Sequence, residues 1–236
     1  MNQKIFKRYE LKYLLTIEQY NLIKQILNNY MVPDNYLKST IRNIYYDTLD
    51  FLMIRNSIEK PLYKEKIRIR TYQTINNEDE VFVELKKKYD GVVYKRREIV
   101  SYQNALNFLT NKEKPFDSQI INEINYLLHY YKTLKPAMFI SYKREAYIGN
   151  DDKKLRITFD TDILWRDYDI DLTKEPYGEK VLGSDFVLME VKTIMGLPKW
   201  LLEFLGNNKI YKQSFSKYGN AYKQLISKES EEKSYA

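Results

Sequence analysis

Short stretches of alternating apolar and polar residues dominate this chain, and helical periodicity fills the gaps between them. The first alternating stretch is Ile5–Leu15. A helix is predicted next, with Thr16 as N-cap, Gln19 completing a capping box, and Ile23, Leu27 and Tyr30 on one face. Val32-Pro33-Asp34 ends it. Ile41–Asp47 reads as a strand and Leu49–Asn56 as a short helical turn. Three strands follow at Lys64–Tyr72, Val81–Lys88 and Val92–Ser101, the last two joined by the hairpin signal Tyr89-Asp90-Gly91. Helical stretches come near Gln103–Leu109 and Ser118–Tyr131. Further strands are predicted at Ala137–Tyr147, Lys154–Ile163 and Phe186–Thr193, then helices at Lys199–Leu205 and near Tyr218–Ser227. About eight strands joined mostly as hairpins predict an α+β fold with an antiparallel sheet, not alternating βαβ units.

Side chains alternate faces along a strand, so every second residue shares a side. In Lys64–Tyr72 this places Lys64, Lys66, Arg68 and Arg70 on one face and Glu65, Ile67, Ile69 and Thr71 on the other. Taken alone, that stretch is an ordinary half-exposed strand with a solvated basic face. The pattern repeats, however. Arg8, Glu10 and Lys12 share a face, as do Glu84 and Lys86, Lys95 and Arg97, Tyr142 and Arg144, Arg156, Thr158 and Asp160, and Glu190 and Lys192. Cations at the centres of so many strands would converge if the sheet curled into a barrel. A dry lumen full of like charges is very costly. A bound polyanion relieves the repulsion: each cation ~4 Å from a phosphate oxygen contributes ~4 kcal/mol at an effective dielectric near ~20, before desolvation. The planar fork of Arg suits phosphate oxygens.

Composition narrows the chemistry. There is no Cys, which excludes disulfides, thiolate metal sites and cysteine nucleophiles. The single His, His129, falls in a Tyr-rich helical stretch and reads as a helix residue rather than a catalyst. The net charge of +7 points to an anionic partner. The 23 Tyr residues, alongside abundant Ile, Lys and Asn, fit the codon usage of an AT-rich genome. Tyr45, Tyr46 and Phe51 read as core or turn packing, with Tyr46 able to approach a base. No Walker-type loop or GxGxxG is present, so any nucleotide base would be held loosely and its phosphates would carry the affinity. Nucleic acid is not expected, because the basic residues lie inside strands rather than on exposed helices or loops. No apolar run is long enough for a membrane span and the start of the chain does not read as a signal peptide. A cytoplasmic location is the expectation. No linker divides residues 1–226, which read as one domain, and the tail Ser227–Ala236 is expected to be disordered.

An ordered set of short motifs adds to this. Arg8-Tyr9-Glu10-Leu11-Lys12-Tyr13, Tyr45-Tyr46-Asp47-Thr48, Lys66-Ile67-Arg68-Ile69-Arg70, Val83-Glu84-Leu85-Lys86, Lys95-Arg96-Arg97, Tyr142-Lys143-Arg144, Leu155-Arg156-Ile157-Thr158, Met189-Glu190-Val191-Lys192 and Ser214-Phe215-Ser216-Lys217-Tyr218 resemble the VTC domain. That is the polyphosphate polymerase domain of the vacuolar transporter chaperone family, in the triphosphate tunnel metalloenzyme superfamily. The resemblance implies an eight-stranded antiparallel β-barrel tunnel with peripheral helices. It implies transfer of the γ-phosphoryl group of ATP to a growing polyphosphate chain, with divalent Mn or Mg as cofactor. ATP and inorganic polyphosphate would be the partners, with a membrane-associated protein as a further one.

Carried over by position, Lys12, Arg68, Arg70, Lys86, Arg144 and Arg156 would be catalytic. Arg8, Lys66, Lys95, Tyr142, Lys192 and Lys217 would bind phosphate, and Glu190 would be the metal ligand. Phosphoryl transfer asks for positioning and charge stabilisation rather than covalent help, and the terminal phosphate of the acceptor is already ionised, so no protein base is required. Glu10 and Glu84 either pair with lysines, the preferred reading, or ligate metal; Asp160 reads as a partner of Arg144 or Arg156. Related triphosphatases and cyclases begin with Glu-x-Glu-x-Lys, whereas this chain has Arg8-x-Glu10-x-Lys12. The replaced carboxylate weakens a metal-activated water mechanism. Two alternatives stand beside the polymerase: a catalytically silent polyphosphate- or nucleotide-binding module, and a metal-dependent triphosphate hydrolase.

Overall fold

A computed structural model of the chain describes residues 9–90 and 92–235. Arg8 and the start of the strand predicted from Ile5 lie outside the described residues, as does Gly91 of the predicted hairpin turn. The elements run β1 (Tyr9–Thr16), α1 (Ile17–Leu27), β2 (Met31–Asp47), α2 (Leu52–Ile58), β3 (Tyr63–Thr71), β4 (Glu80–Tyr89), β5 (Val92–Ser101), α3 (Tyr102–Asn111) and α4 (Gln119–Tyr130). They continue with β6 (Lys135–Gly149), β7 (Arg156–Arg166), β8 (Glu179–Lys180), β9 (Phe186–Thr193), α5 (Lys199–Asn207) and α6 (Lys217–Tyr235).

The fold is α+β around an antiparallel sheet. Its strand order is β1-β9-β7-β6-β2-β3-β4-β5, with β8 paired to β7. Among the described residues the path of pairing ends at β1 on one side and β5 on the other, so strand pairing does not close it into a ring.

The chain divides into two compact units. One draws its described residues from Met1–Thr40, Tyr142–Ile163 and Leu182–Phe215; the other draws them from Ile41–Ser141, Leu164–Val181 and Ser216–Ala236. The first unit holds a core of Leu15, Ile23, Leu27, Ile157, Val187, Met189, Val191 and Leu201. The helix α1 enters it through the capping box: the Thr16 hydroxyl accepts from the Gln19 backbone N–H, and the Gln19 side chain accepts from the Thr16 backbone N–H. The core of the second unit is built from Ile44, Ile67, Ile69, Val81, Val83 and Leu85 of three strands, packed on Ala105, Phe108, Ile121 and Ile124 of α3 and α4.

Two differences from expectation have local causes. The strand β2 begins at Met31 rather than at the predicted Ile41, and it passes through Pro33, which is expected only to end the preceding helix. The fixed φ of proline suits extended backbone and removes one N–H, so a strand tolerates it where that donor is not needed. The helix α6 also continues from Ser227 to Tyr235, where disorder is expected. This stretch is rich in the helix formers Lys and Glu, and Lys228 pairs with Glu179, tying the helix to its own unit. Among the described residues no helix is long and apolar enough to cross a membrane.

Candidate functional site

Each unit carries its own cluster of charged side chains, and each cluster is built by strand register. In the second unit, antiparallel pairing sets Arg68 opposite both Tyr45 and Glu84, and Glu84 opposite Arg97. One row along, Lys66, Lys86 and Lys95 stand in line across β3, β4 and β5. Residues directly opposite in a sheet share a face, so these charges lie together and away from Ile67, Ile69, Val83 and Leu85.

Glu84 is the hub of that face and is almost wholly buried. Its Oε2 accepts from the Arg68 Nε at 2.7 Å and lies 3.8 Å from the Arg70 Nε, while its Oε1 lies 2.5 Å from the Lys95 Nζ. Burial pushes the Glu84 carboxyl up, but Arg68, Arg70 and Lys95 together outweigh it and hold the group at about 2. Burial pushes Lys95 the other way, and with Arg70 and Arg68 nearby its ammonium loses a proton more readily than usual despite Glu84. Arg70 also donates from Nε to the Asn43 Oδ1 at 2.9 Å, and the Asn43 side chain donates to the Ile140 carbonyl. Lys66 donates to the Ser216 Oγ at 3.2 Å, and the adjacent Lys217, the first residue of α6, is buried.

In the first unit the row across β1, β9 and β7 is Lys12, Glu190 and Thr158, and the next row is Glu10, Lys192 and Arg156. Arg144 of β6 grips Asp160 with two hydrogen bonds of 2.6 Å and reaches the Glu190 Oε2 at 3.0 Å. Burial works against its charge, yet Asp160 and Glu190 outweigh that and strengthen its hold on the proton. Its guanidinium carbon stands 5.2 Å over the ring of Tyr142. The other oxygen of Glu190 lies 3.4 Å from the Lys12 Nζ, which also donates to the Phe215 carbonyl at 2.9 Å. Glu10 pairs with Lys12 at 3.6 Å and Lys192 at 3.8 Å. Arg156 pairs with Asp34 of β2 at 2.7 Å.

The site residues foreseen in the sequence thus separate by unit. Lys12, Tyr142, Arg144, Arg156, Glu190 and Lys192 lie in the first, and Lys66, Arg68, Arg70, Lys86, Lys95 and Lys217 in the second. His129 lies on the exposed part of α4, its Nδ1 against the Asn125 carbonyl one turn back. Sequence parity gives no sign of Asp34 and Asn43, because both partners come from distant segments of β2. The role of Tyr45 as an acceptor for Arg68, at 2.9 Å, is likewise missed, although its place directly opposite Arg68 would have shown it once the register was known.

The carboxylates also bear on a metal. Both oxygens of Glu190 face cations, and those of Glu84 face three. No group of three or more His, Asp or Glu side chains gathers among the described residues. Opposite Glu190, the buried Thr158 hydroxyl has no hydrogen-bond partner among the described residues. This donor set does not make a metal cage of protein ligands.

Known proteins share this architecture. A candidate adenylate cyclase from Bacillus halodurans superposes with a TM-score of 0.53 at 15% identity, covering 90% of this chain and 94% of its own. A candidate adenylyl cyclase from Hippeastrum, described as having a dominant triphosphatase activity, superposes at 0.52 with 17% identity, covering 89% and 92%. At such identities the likeness is one of fold. No curated protein matches the chain. A family model described as the VTC domain matches residues 7–226, nearly the full length and the span over which the cationic strands run. The chain belongs to the VTC domain family.

Proposed function

We propose that this protein is a polyphosphate polymerase that transfers the γ-phosphoryl group of ATP to a growing polyphosphate chain. The observation that carries this reading is the cross-strand alignment of mid-strand cations in the second unit, where Arg68, Arg70 and Lys95 share one carboxylate and Lys66, Lys86 and Lys95 form a row. Like charges placed directly opposite in a sheet destabilise it. A row of lysines is therefore an arrangement that a bound anion stabilises. The cluster of Lys12 and Arg144 about Glu190 supplies cations in the first unit. Rigid donors of this kind offset charge on non-bridging oxygens without reorganising during the reaction. Mn or Mg, carried in by the phosphates with Glu190 as its protein ligand, would neutralise further phosphate charge. Among the alternatives, triphosphate hydrolysis draws support from the activity described for the Hippeastrum protein.

Two exposed enough positions separate turnover from simple binding. Arg144 is a poor choice, because its removal takes two hydrogen bonds from the buried Asp160. Arg156 and Lys192 are more open, with side chains 41% and 28% exposed. With ATP, Mn and short polyphosphate, Arg156→Ala should lower chain synthesis ~10²-fold, as for a lost charge-stabilising donor. Lys192→Ala should mainly weaken polyphosphate binding and flatten its salt dependence. Product lengths on gels and binding isotherms check both. Equal loss of binding in the two variants, with no chain synthesis by the unaltered protein, would favour the silent binding module.

A further inference from the structure

The inference concerns Tyr45 and deepens the reading just given, on which it rests. Tyr45 is buried on β2, and among the described residues the one hydrogen bond of its hydroxyl is accepted, from the Arg68 Nη1 at 2.9 Å. A phenol both accepts and donates, and buried polar hydrogens ordinarily find an acceptor. The Tyr45 proton has none among the described residues. The oxygen is turned toward Arg68, itself held by Glu84, so the unspent donor stands on the cationic face.

The ring is also held in place. It stacks on Tyr218 of α6 at 4.6 Å, and the Tyr218 hydroxyl donates to the Asp47 Oδ2 at 2.8 Å. Asp47 in turn accepts from the backbone N–H groups of Thr48, Met53 and Ile54. Core packing alone would be served by Phe. A fixed ring with a donor left over, beside a guanidinium, is an arrangement prepared for an anion.

We infer that the Tyr45 hydroxyl is a phosphate contact, donating its proton to a phosphoryl oxygen bound by Arg68. Its surroundings make it an unusually strong donor. Burial pushes the phenol up, but Arg68, Arg70 and Lys66 of β3 outweigh it and bring the group down to about 8. Behind them stand Glu84 of β4 and Lys95 of β5, and across the stack stand Tyr218 and Asp47. Below that pH Tyr45 donates to phosphate. Above it, Tyr45 is itself an anion that holds Arg68 and repels the ligand. A bound phosphate must therefore keep the proton on and move the titration upward.

The test uses the full chain, inorganic tripolyphosphate and the variant Tyr45→Phe, which retains the stacked ring. Calorimetric affinities are measured from about pH 6 to about pH 10. Ligand protonation is common to both proteins and cancels. The variant should bind ~10-fold more weakly near neutral pH, as for one hydrogen bond to a charged acceptor. It should also lose the extra alkaline fall in affinity seen in the unaltered protein. As a second measurement, the near-ultraviolet phenolate absorption of the unaltered protein should develop first near pH 8, and tripolyphosphate should move that step to higher pH. Tight binding with the same pH profile in both proteins, or a phenolate step that tripolyphosphate leaves in place, overturns the inference while leaving the phosphate-binding reading intact. No tripolyphosphate binding by the unaltered protein would overturn that reading as well.

Discussion

Glu84 shows how one residue sets the character of a whole face. Three cations share a single buried carboxylate, so the face keeps a positive excess while escaping the full cost of packed like charges. The same contacts tie stability to pH. The Glu84 carboxyl is held at about 2 in the folded protein, against 4.5 for the unperturbed group. Such a depressed group stabilises the fold fully above its unfolded value and loses that contribution as pH falls through the folded one. The difference corresponds to about 3 kcal/mol. Denaturant unfolding of the unaltered protein should therefore weaken between about pH 5 and about pH 2, and Glu84→Gln should lack that component while being less stable near neutrality. Identical acid profiles in the two proteins would show that Glu84 does not carry the charge balance described.

At the scale of the element, alternation along each strand was enough to sort Lys66, Arg68 and Arg70 from Ile67 and Ile69, because a period of two admits only one assignment of faces. The capping box at Thr16 was equally legible, since its two partners are three residues apart. Its removal is a local experiment: Thr16→Ala should cost ~1 kcal/mol in thermal or denaturant unfolding. A change within error would mean that core packing of Ile23 and Leu27 alone holds α1. What could not be read from the sequence depends on partners distant in the chain. The ion pair of Arg156 with Asp34, the bond from Arg70 to Asn43 and the stack of Tyr45 on Tyr218 all require knowing which strand or helix lies beside which. The helical run beyond Ser227 escaped for a related reason, because Lys228 gains Glu179 only through the fold.

At the scale of the molecule, the division into two units left no mark on the sequence. Each unit is assembled from separated segments, and β2 and β6 pass from one to the other without a break, so no linker composition signals a boundary. The ordered motifs fared differently: they run through both units, as the family match over residues 7–226 does. On the proposed reading a bound triphosphate has three possible fates, which are polymerisation, hydrolysis and retention without reaction. They differ in the phosphorus compounds produced. The most direct measurement follows ATP, Mg and a short polyphosphate primer with the purified protein by phosphorus NMR over time. Polymerisation predicts loss of the ATP γ signal with matching growth of ADP and of resonances from phosphates internal to a chain. Orthophosphate appearing in their place, or ATP left intact by a protein that binds the primer tightly, would contradict it.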